Sequence, residues 1–264
     1  MACRILILLF VLDVVPQLMF GMPQPFSELR IINGSNATEG EFPFMAAIFY
    51  KGYFTCGGTI LSEDWILTAA HCVNDRDLTQ FSVLTGTIDL DGDDGRLTYV
   101  SQIIVHKGYQ DSDNQVNDIA LFRLSVALEY DSVTQPVTLS AQNTDPSANS
   151  KVVVTGWGVS KINGNPVRYL QKATIQIISN PDCSAPYKPY NISILSTNVC
   201  AGTANGGIGQ CTGDSGGPVL VEGSNTYQVG IISFSAKPCG IKGYPGVNTR
   251  VSQYLGWIQG QSGL

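Results

Sequence analysis

Histidine is scarce in this chain, with only His71 and His106 among 264 residues. With so few imidazoles, and no cysteines at Cys-x-x-Cys spacing, no metal site is expected. Positive charge is also short: 15 Lys and Arg against 21 Asp and Glu give a net charge of −6, without a basic cluster. That argues against a nucleic-acid partner. No run reaches the roughly eighteen consecutive apolar residues of a spanning helix, which argues against a membrane partner. Repeats and low-complexity tracts are missing too. Helical periodicity is confined to the tail, where Val251, Tyr254, Leu255 and Ile258 fit an i, i+3, i+4, i+7 stripe.

What the chain does have is short β-branched runs between turn residues. Examples are Trp65-Ile-Leu-Thr68, Ile119-Ala-Leu-Phe122, Val152-Val-Val-Thr155 and Gln228-Val-Gly-Ile-Ile-Ser233. Such runs, split by Gly, Asn and Asp, predict an all-β antiparallel architecture. At the start, Arg4 precedes eight apolar residues from Ile5 to Leu12, a pattern that assigns residues 1–21 to a signal peptide and the protein to the extracellular space. Cys3 falls in that segment. Six cysteines remain, an even number that points to disulfides but permits fifteen pairings.

Chemistry concentrates in three boxes. Cys211-Thr-Gly-Asp-Ser-Gly-Gly-Pro218 crowds glycines around Ser215, exposing a hydroxyl and freeing amides to meet an oxyanion. A serine needs a base, and His71 stands in Thr68-Ala-Ala-His-Cys72. Asp118, in Asn117-Asp-Ile-Ala-Leu121, enters an apolar strand and is placed to orient the imidazole. His106 carries no motif and reads as a strand-end surface residue. Asp89-Leu-Asp-Gly-Asp-Asp-Gly95 loosely suggests a calcium loop, but its twelfth position is Val100 instead of a glutamate, so it reads as a solvated acidic turn. Asn-x-Ser/Thr sequons make Asn36 and Asn191 glycan candidates.

These boxes, in the order His, Asp, Ser, resemble the chymotrypsin/trypsin family of secreted serine endopeptidases, from Ile31 to about Ile258. The pattern is nearest to invertebrate chymotrypsin-like members. The resemblance implies two six-stranded antiparallel Greek-key barrels with the active site between them, and a C-terminal helix. It implies a catalytic triad of His71, Asp118 and Ser215, an oxyanion hole from the amides of Gly213 and Ser215, and a hydrogen bond from Ser233 to Asp118. It implies the disulfides Cys56–Cys72, Cys183–Cys200 and Cys211–Cys239. Residues 22–30 become an activation propeptide and 31–264 the protease domain, with Arg30 cut and the freed amine of Ile31 pairing with Asp214.

The specificity pocket falls to Gly209, Gln210, Ser235 and Gly246. Gly209 stands where trypsins place an aspartate, so the expected preference is for large apolar residues. Gln210, if turned inward, would shorten the slot and favour smaller ones. The implied partners are protein or peptide substrates, an activating trypsin-like protease and protein inhibitors, with a monomeric chain and no cofactor. An elastase-like or processing protease, or a non-catalytic homologue acting by binding, stands as the alternative to a digestive enzyme.

Overall fold

The computed structural model describes residues 31, 34–73, 75–142, 144–159, 164–223 and 225–264. The signal and propeptide assignments, with Arg30, lie outside the described residues. The chain starts with β1 (Ser35–Asn36), then β2 (Met45–Tyr50), β3 (Tyr53–Ile60), β4 (Trp65–Thr68), β5 (Phe81–Thr85), β6 (Arg96–Val105) and β7 (Ala120–Leu124). Strands β2 to β7 close an antiparallel barrel in the order β2-β3-β4-β7-β6-β5. Alternation decides which way side chains point: Phe81, Val83 and Thr85 of β5 face the core, while Ser82 and Leu84 between them point the other way and are half-buried. Ile48, Ile66, Leu121 and Phe122 fill the same interior.

Residues 125–150 cross to the second barrel and carry β8 (Thr138–Leu139). Then come β9 (Lys151–Gly156), β10 (Gln171–Ile178), α1 (Asn180–Tyr187), β11 (Asn198–Gly202), β12 (Pro218–Val221), β13 (Tyr227–Phe234) and β14 (Gly246–Arg250). The ring runs β9-β10-β11-β14-β13-β12 and closes because β12 pairs back onto β9. Strand β1 adds to the outside of β10, and β8 lies parallel to β13. Closure matters because an open sheet edge would leave unpaired backbone groups.

Helix α1 was not expected from the sequence, which shows a helical stripe only at the tail. It forms without such a stripe because Ser179 caps it, its Oγ accepting from the Asp182 amide at 3.2 Å. Pro181 sits in the first turn, where no N–H is required, and the Cys183–Cys200 disulfide pins the helix to β11. The tail forms a 3₁₀ turn, Val251–Gln253, followed by α2 (Leu255–Ser262). Its buried Val251, Tyr254 and Ile258 join the core of the first barrel, so the end of the second barrel's chain clasps its neighbour. The barrels also meet through Thr59 on β3, whose Oγ1 donates to Gln228 Oε1 on β13 at 2.8 Å.

Candidate active site

His71 stands on a 3₁₀ turn, Ala70–Cys72, held from below by the Cys56–Cys72 disulfide. Asp118 sits two residues before β7, wholly buried, while the His71 side chain remains 24% exposed. The two are joined twice. The His71 amide donates to Asp118 Oδ1 at 2.9 Å, and His71 Nδ1 lies 2.7 Å from Oδ2. A carboxylate accepts, so Nδ1 carries the proton and Nε2 keeps its lone pair for the nucleophile. Ser233 Oγ donates to the same Oδ2 at 2.5 Å, and Thr249 Oγ1 donates to the Asp118 carbonyl at 2.7 Å. A buried carboxylate with this many donors is compensated for lost water.

Both donors come from the second barrel, on β13 and β14, so the acid of one barrel is positioned by the other. Asn117, before it, takes a left-handed φ of 53°. Its side chain fixes that turn, with Nδ2 donating to the Gly108 carbonyl at 2.7 Å and Oδ1 accepting from Tyr254 Oη at 2.8 Å. Sequence reasoning passed over Asn117, Thr249 and Tyr254 as supports of the site. Only the Asn-Asp pair ahead of a strand hinted at one.

Ser215 is held by its carbonyl, which accepts from the Gly57 amide at 2.8 Å across the cleft. Gly213 and Gly216 have φ of 92° and 78°, where side chains are rarely tolerated. A Cβ on Gly216 would also lie 2.2 Å from Thr68 Oγ1. Among the described residues the amides of Gly213 and Ser215 donate to no backbone carbonyl. No hydrogen bond joins Ser215 Oγ to His71 Nε2 among the described residues. Such contacts characteristically tighten when substrate binds.

Asp214 is fully buried, and no cationic group pairs with it among the described residues. Its carboxylate accepts from the amides of Gly158 and Cys211, each at 2.8 Å. Burial pushes its pKa up to about 7, the two amides pulling the other way. Ile31 is equally buried, packed in the second barrel's core with Val152, Val154 and Ile175.

The family model described as Trypsin matches residues 31–258. The chain is 37% identical over 241 residues to Trypsin Blo t 3 of Blomia tropicalis, covering 89% of this chain and 87% of that one. It is 36% identical over 239 residues to Trypsin-1 of Astacus astacus, covering 87% and 98%. It is also 36% identical over 262 residues to Melanization protease 1 of Drosophila melanogaster, covering 87% of this chain but 65% of that longer relative. The chain belongs to the trypsin family of serine endopeptidases.

In this trypsin-family chain the Cys211–Cys239 disulfide ties together the segments that carry Gln210 and Ser235. A Cβ built on Gly209 meets nothing within 4 Å, so the space beside it is open. Ser235 is half-buried. Gln210 is turned inward and only 4% exposed, with Nε2 donating to the Phe234 carbonyl at 3.2 Å. Its amide lies against Gly246: a Cβ there would come within 2.4 Å of Gln210 Cδ.

His106, directly after β6, is half-buried. It packs against the rings of Tyr254 and Trp257, accepts from the Gly108 amide at 3.1 Å, and its pKa is held down by burial. The nearest approach to a metal cluster among the described residues is Cys56, His71 and Cys72, but both sulfurs are spent in the disulfide. In the acidic turn, Arg168 grips Asp89 with two bonds of 2.7 Å and lowers its pKa, while Thr87 Oγ1 donates to Asp94 at 2.9 Å. Asn191 is exposed with a left-handed φ of 58°, and Asn36, also exposed, accepts from Gln171 at 2.8 Å.

Proposed function

We propose that this chain is a secreted, zymogen-derived digestive endopeptidase, activated by a trypsin-like cut after Arg30, that cleaves after large apolar residues. The observation that carries the catalytic reading is the train Ser233–Asp118–His71, anchored on a wholly buried Asp118. Ser215 Oγ attacks the scissile carbonyl carbon while His71 Nε2 takes its proton, and Asp118 stabilises the imidazolium. The carbonyl oxygen, now negative, accepts from the Gly213 and Ser215 amides. His71 then protonates the leaving amine, and an acyl-enzyme remains. Water attacks that ester with His71 again as base, releasing the acid and restoring Ser215. No step needs a cofactor.

Three disulfides support an oxidising, extracellular destination. The protein acts as a monomer on protein or peptide substrates and is subject to protein inhibitors. Asn36 and Asn191 are the glycan acceptors. The uncharged pocket follows from Gly209: a buried cation without a counter-charge is strongly disfavoured, so Arg and Lys substrates are poor despite relatives named trypsin.

A second reading is favoured by inward Gln210, which shortens the slot and shifts preference toward smaller residues. The relative named for melanization keeps a processing role in view. Labelling by a serine-directed phosphonate separates an active enzyme from a non-catalytic homologue. Rates on Phe, Leu, Ala and Arg p-nitroanilides then decide specificity. Arg fastest overturns the uncharged pocket, and Ala fastest converts the reading to elastase-like.

A further inference from the structure

The catalytic reading employs one of the two imidazoles and leaves the other, His106, without a task. A continuous set of hydrogen bonds joins His106 to the residues on either side of Asp118. His106 Nδ1 faces the Gly108 amide at 3.1 Å, and only a bare ring nitrogen can accept that N–H. The Gly108 carbonyl accepts from Asn117 Nδ2 at 2.7 Å, and Asn117 directly precedes Asp118. The left-handed φ of Asn117, 53°, is kept by its side chain, whose Oδ1 accepts from Tyr254 Oη at 2.8 Å. On the other side, the His106 amide donates at 3.1 Å to the carbonyl of Ile119, which directly follows Asp118. Residues 106–108 thus hold the backbone of Asp118 from before and after.

The ring is hemmed in. Its centroid lies 5.6 Å from that of Tyr254, edge to face, and 5.3 Å from that of Trp257. The tail packed against it, Val251 to Leu264, has no Asp, Glu, Lys or Arg, and its titratable group is Tyr254. The turn leading to Asp118 contributes exposed Lys107, Asp111 and Asp113, half-buried Tyr109 and wholly buried Asp118. Ile119, which accepts the His106 amide, is apolar. Burial holds the His106 pKa below its ordinary value, so the ring is the neutral acceptor at neutral pH. We propose that neutral His106 is a positioning residue for Asp118, and that a proton on its Nδ1 releases the Gly108 turn and switches catalysis off in acid. That proton sets one N–H against another, so Gly108 must move and Asn117 loses its acceptor. Asp118 then no longer presents its carboxylate to the His71 amide and Nδ1. This rests on the triad reading above and adds a second proton to its acid limb. The stability sign agrees: for a depressed pKa the contribution is complete above the unfolded value, about 6.5, and is lost as pH falls through the folded one.

The test follows kcat/KM of the cleaved, active-site-titrated enzyme on a neutral peptide from about pH 8 down to about pH 4, with recovery checked on return to neutrality. His71 alone gives an acid limb of slope one in log rate against pH, and His106 steepens it toward two. His106→Asn puts a non-titrating oxygen two residues before the Gly108 amide, as in an Asx turn, and should return the slope to one. His106→Phe keeps a ring but no acceptor, and should lower kcat about ten-fold at every pH with KM little changed. Because the chain has two histidines, imidazole NMR assigns each titration, and the His106 midpoint should match the second kinetic proton. A wild-type slope of one overturns the inference. So does a slope of two that persists in His106→Asn, which places the second proton elsewhere, as on Asp214. His106→Phe at the wild-type rate removes the acceptor's role and overturns it too. If neither variant folds, unequal kinetic and NMR midpoints overturn it. Enzyme that takes up no serine-directed phosphonate at neutral pH overturns the triad reading, and the inference falls with it. Phosphonate uptake with a one-proton limb overturns the inference alone.

Discussion

The buried carboxyl of Asp214, without a cationic partner among the described residues, makes the stability of the uncleaved chain depend on pH in a direction unusual for an acid. A carboxyl in an unfolded chain titrates near 3.9, whereas burial holds Asp214 at about 7. Below about pH 4 both states are protonated and the fold has its full advantage. As pH rises from about 4 to 7, the unfolded chain gives up this proton and the folded one retains it, so unfolding gains free energy. Above about 7 the loss is complete. A difference of about three units at about 1.4 kcal/mol each is about 4 kcal/mol, or roughly 10 °C in Tm for a domain of this size.

The assay is thermal unfolding of uncleaved protein between pH 4 and 8, in a Ser215→Ala background that silences proteolysis. The same scan on Asp214→Asn subtracts every other titrating group. That variant loses one amide bond at all pH values, because its side-chain nitrogen cannot accept from Gly158 or Cys211, and so gives a constant offset. The parent should fall toward the variant by about 10 °C as pH rises. Parallel curves for the two proteins would refute the reasoning. Cleavage should then flatten the parent's curve, since the new ammonium of Ile31 gives the ionised carboxylate a partner.

Activation itself is checked by sequencing: brief trypsin treatment of silent proprotein should yield an N-terminus reading Ile-Ile-Asn-Gly together with activity, and full activity before cleavage would remove the zymogen reading. Asp118→Asn should lower kcat by about 10⁴, the fall seen for this substitution in the family's template triad, while leaving the fold intact by circular dichroism. Ser233→Ala removes the 2.5 Å bond onto Asp118 Oδ2 and should reduce kcat/KM about ten-fold, with phosphonate labelling slowed in proportion. Replacing Cys56 and Cys72 together by alanine opens a 16-residue loop and should cost about 3 kcal/mol in denaturant unfolding.

Local chemistry was legible in the residues themselves. A serine ringed by glycines, a lone motif histidine and an acid ahead of an apolar strand name a nucleophile, a base and its orienting group by residue type alone. The β-branched runs likewise declare strands, because each run's burial preference is a property of its own side chains. Strands β5, β11 and β14 escaped because their alternation is mixed with Ser, Asn, Thr and Gly, and sheet partners had to supply the preference. Helix α1 escaped because a cap and a disulfide hold it in place of an apolar stripe.

The sequence by itself determined the all-β class and the residue types from which a site could be read: a serine among glycines, a motif histidine and an aspartate ahead of a strand. Only the tertiary structure decided which partners those groups meet. The carbonyl of Asp118 is held by Thr249, 131 residues away, and His106 is drawn against Tyr254 and Trp257 of the returning tail. The inward turn of Gln210 belongs to the same class, because a rotamer is chosen by the space left over Gly246 and the carbonyl of Phe234. Contacts between residues so far apart in the chain are selected by packing and barrel closure, which act on all the strands together and leave no mark on any one segment.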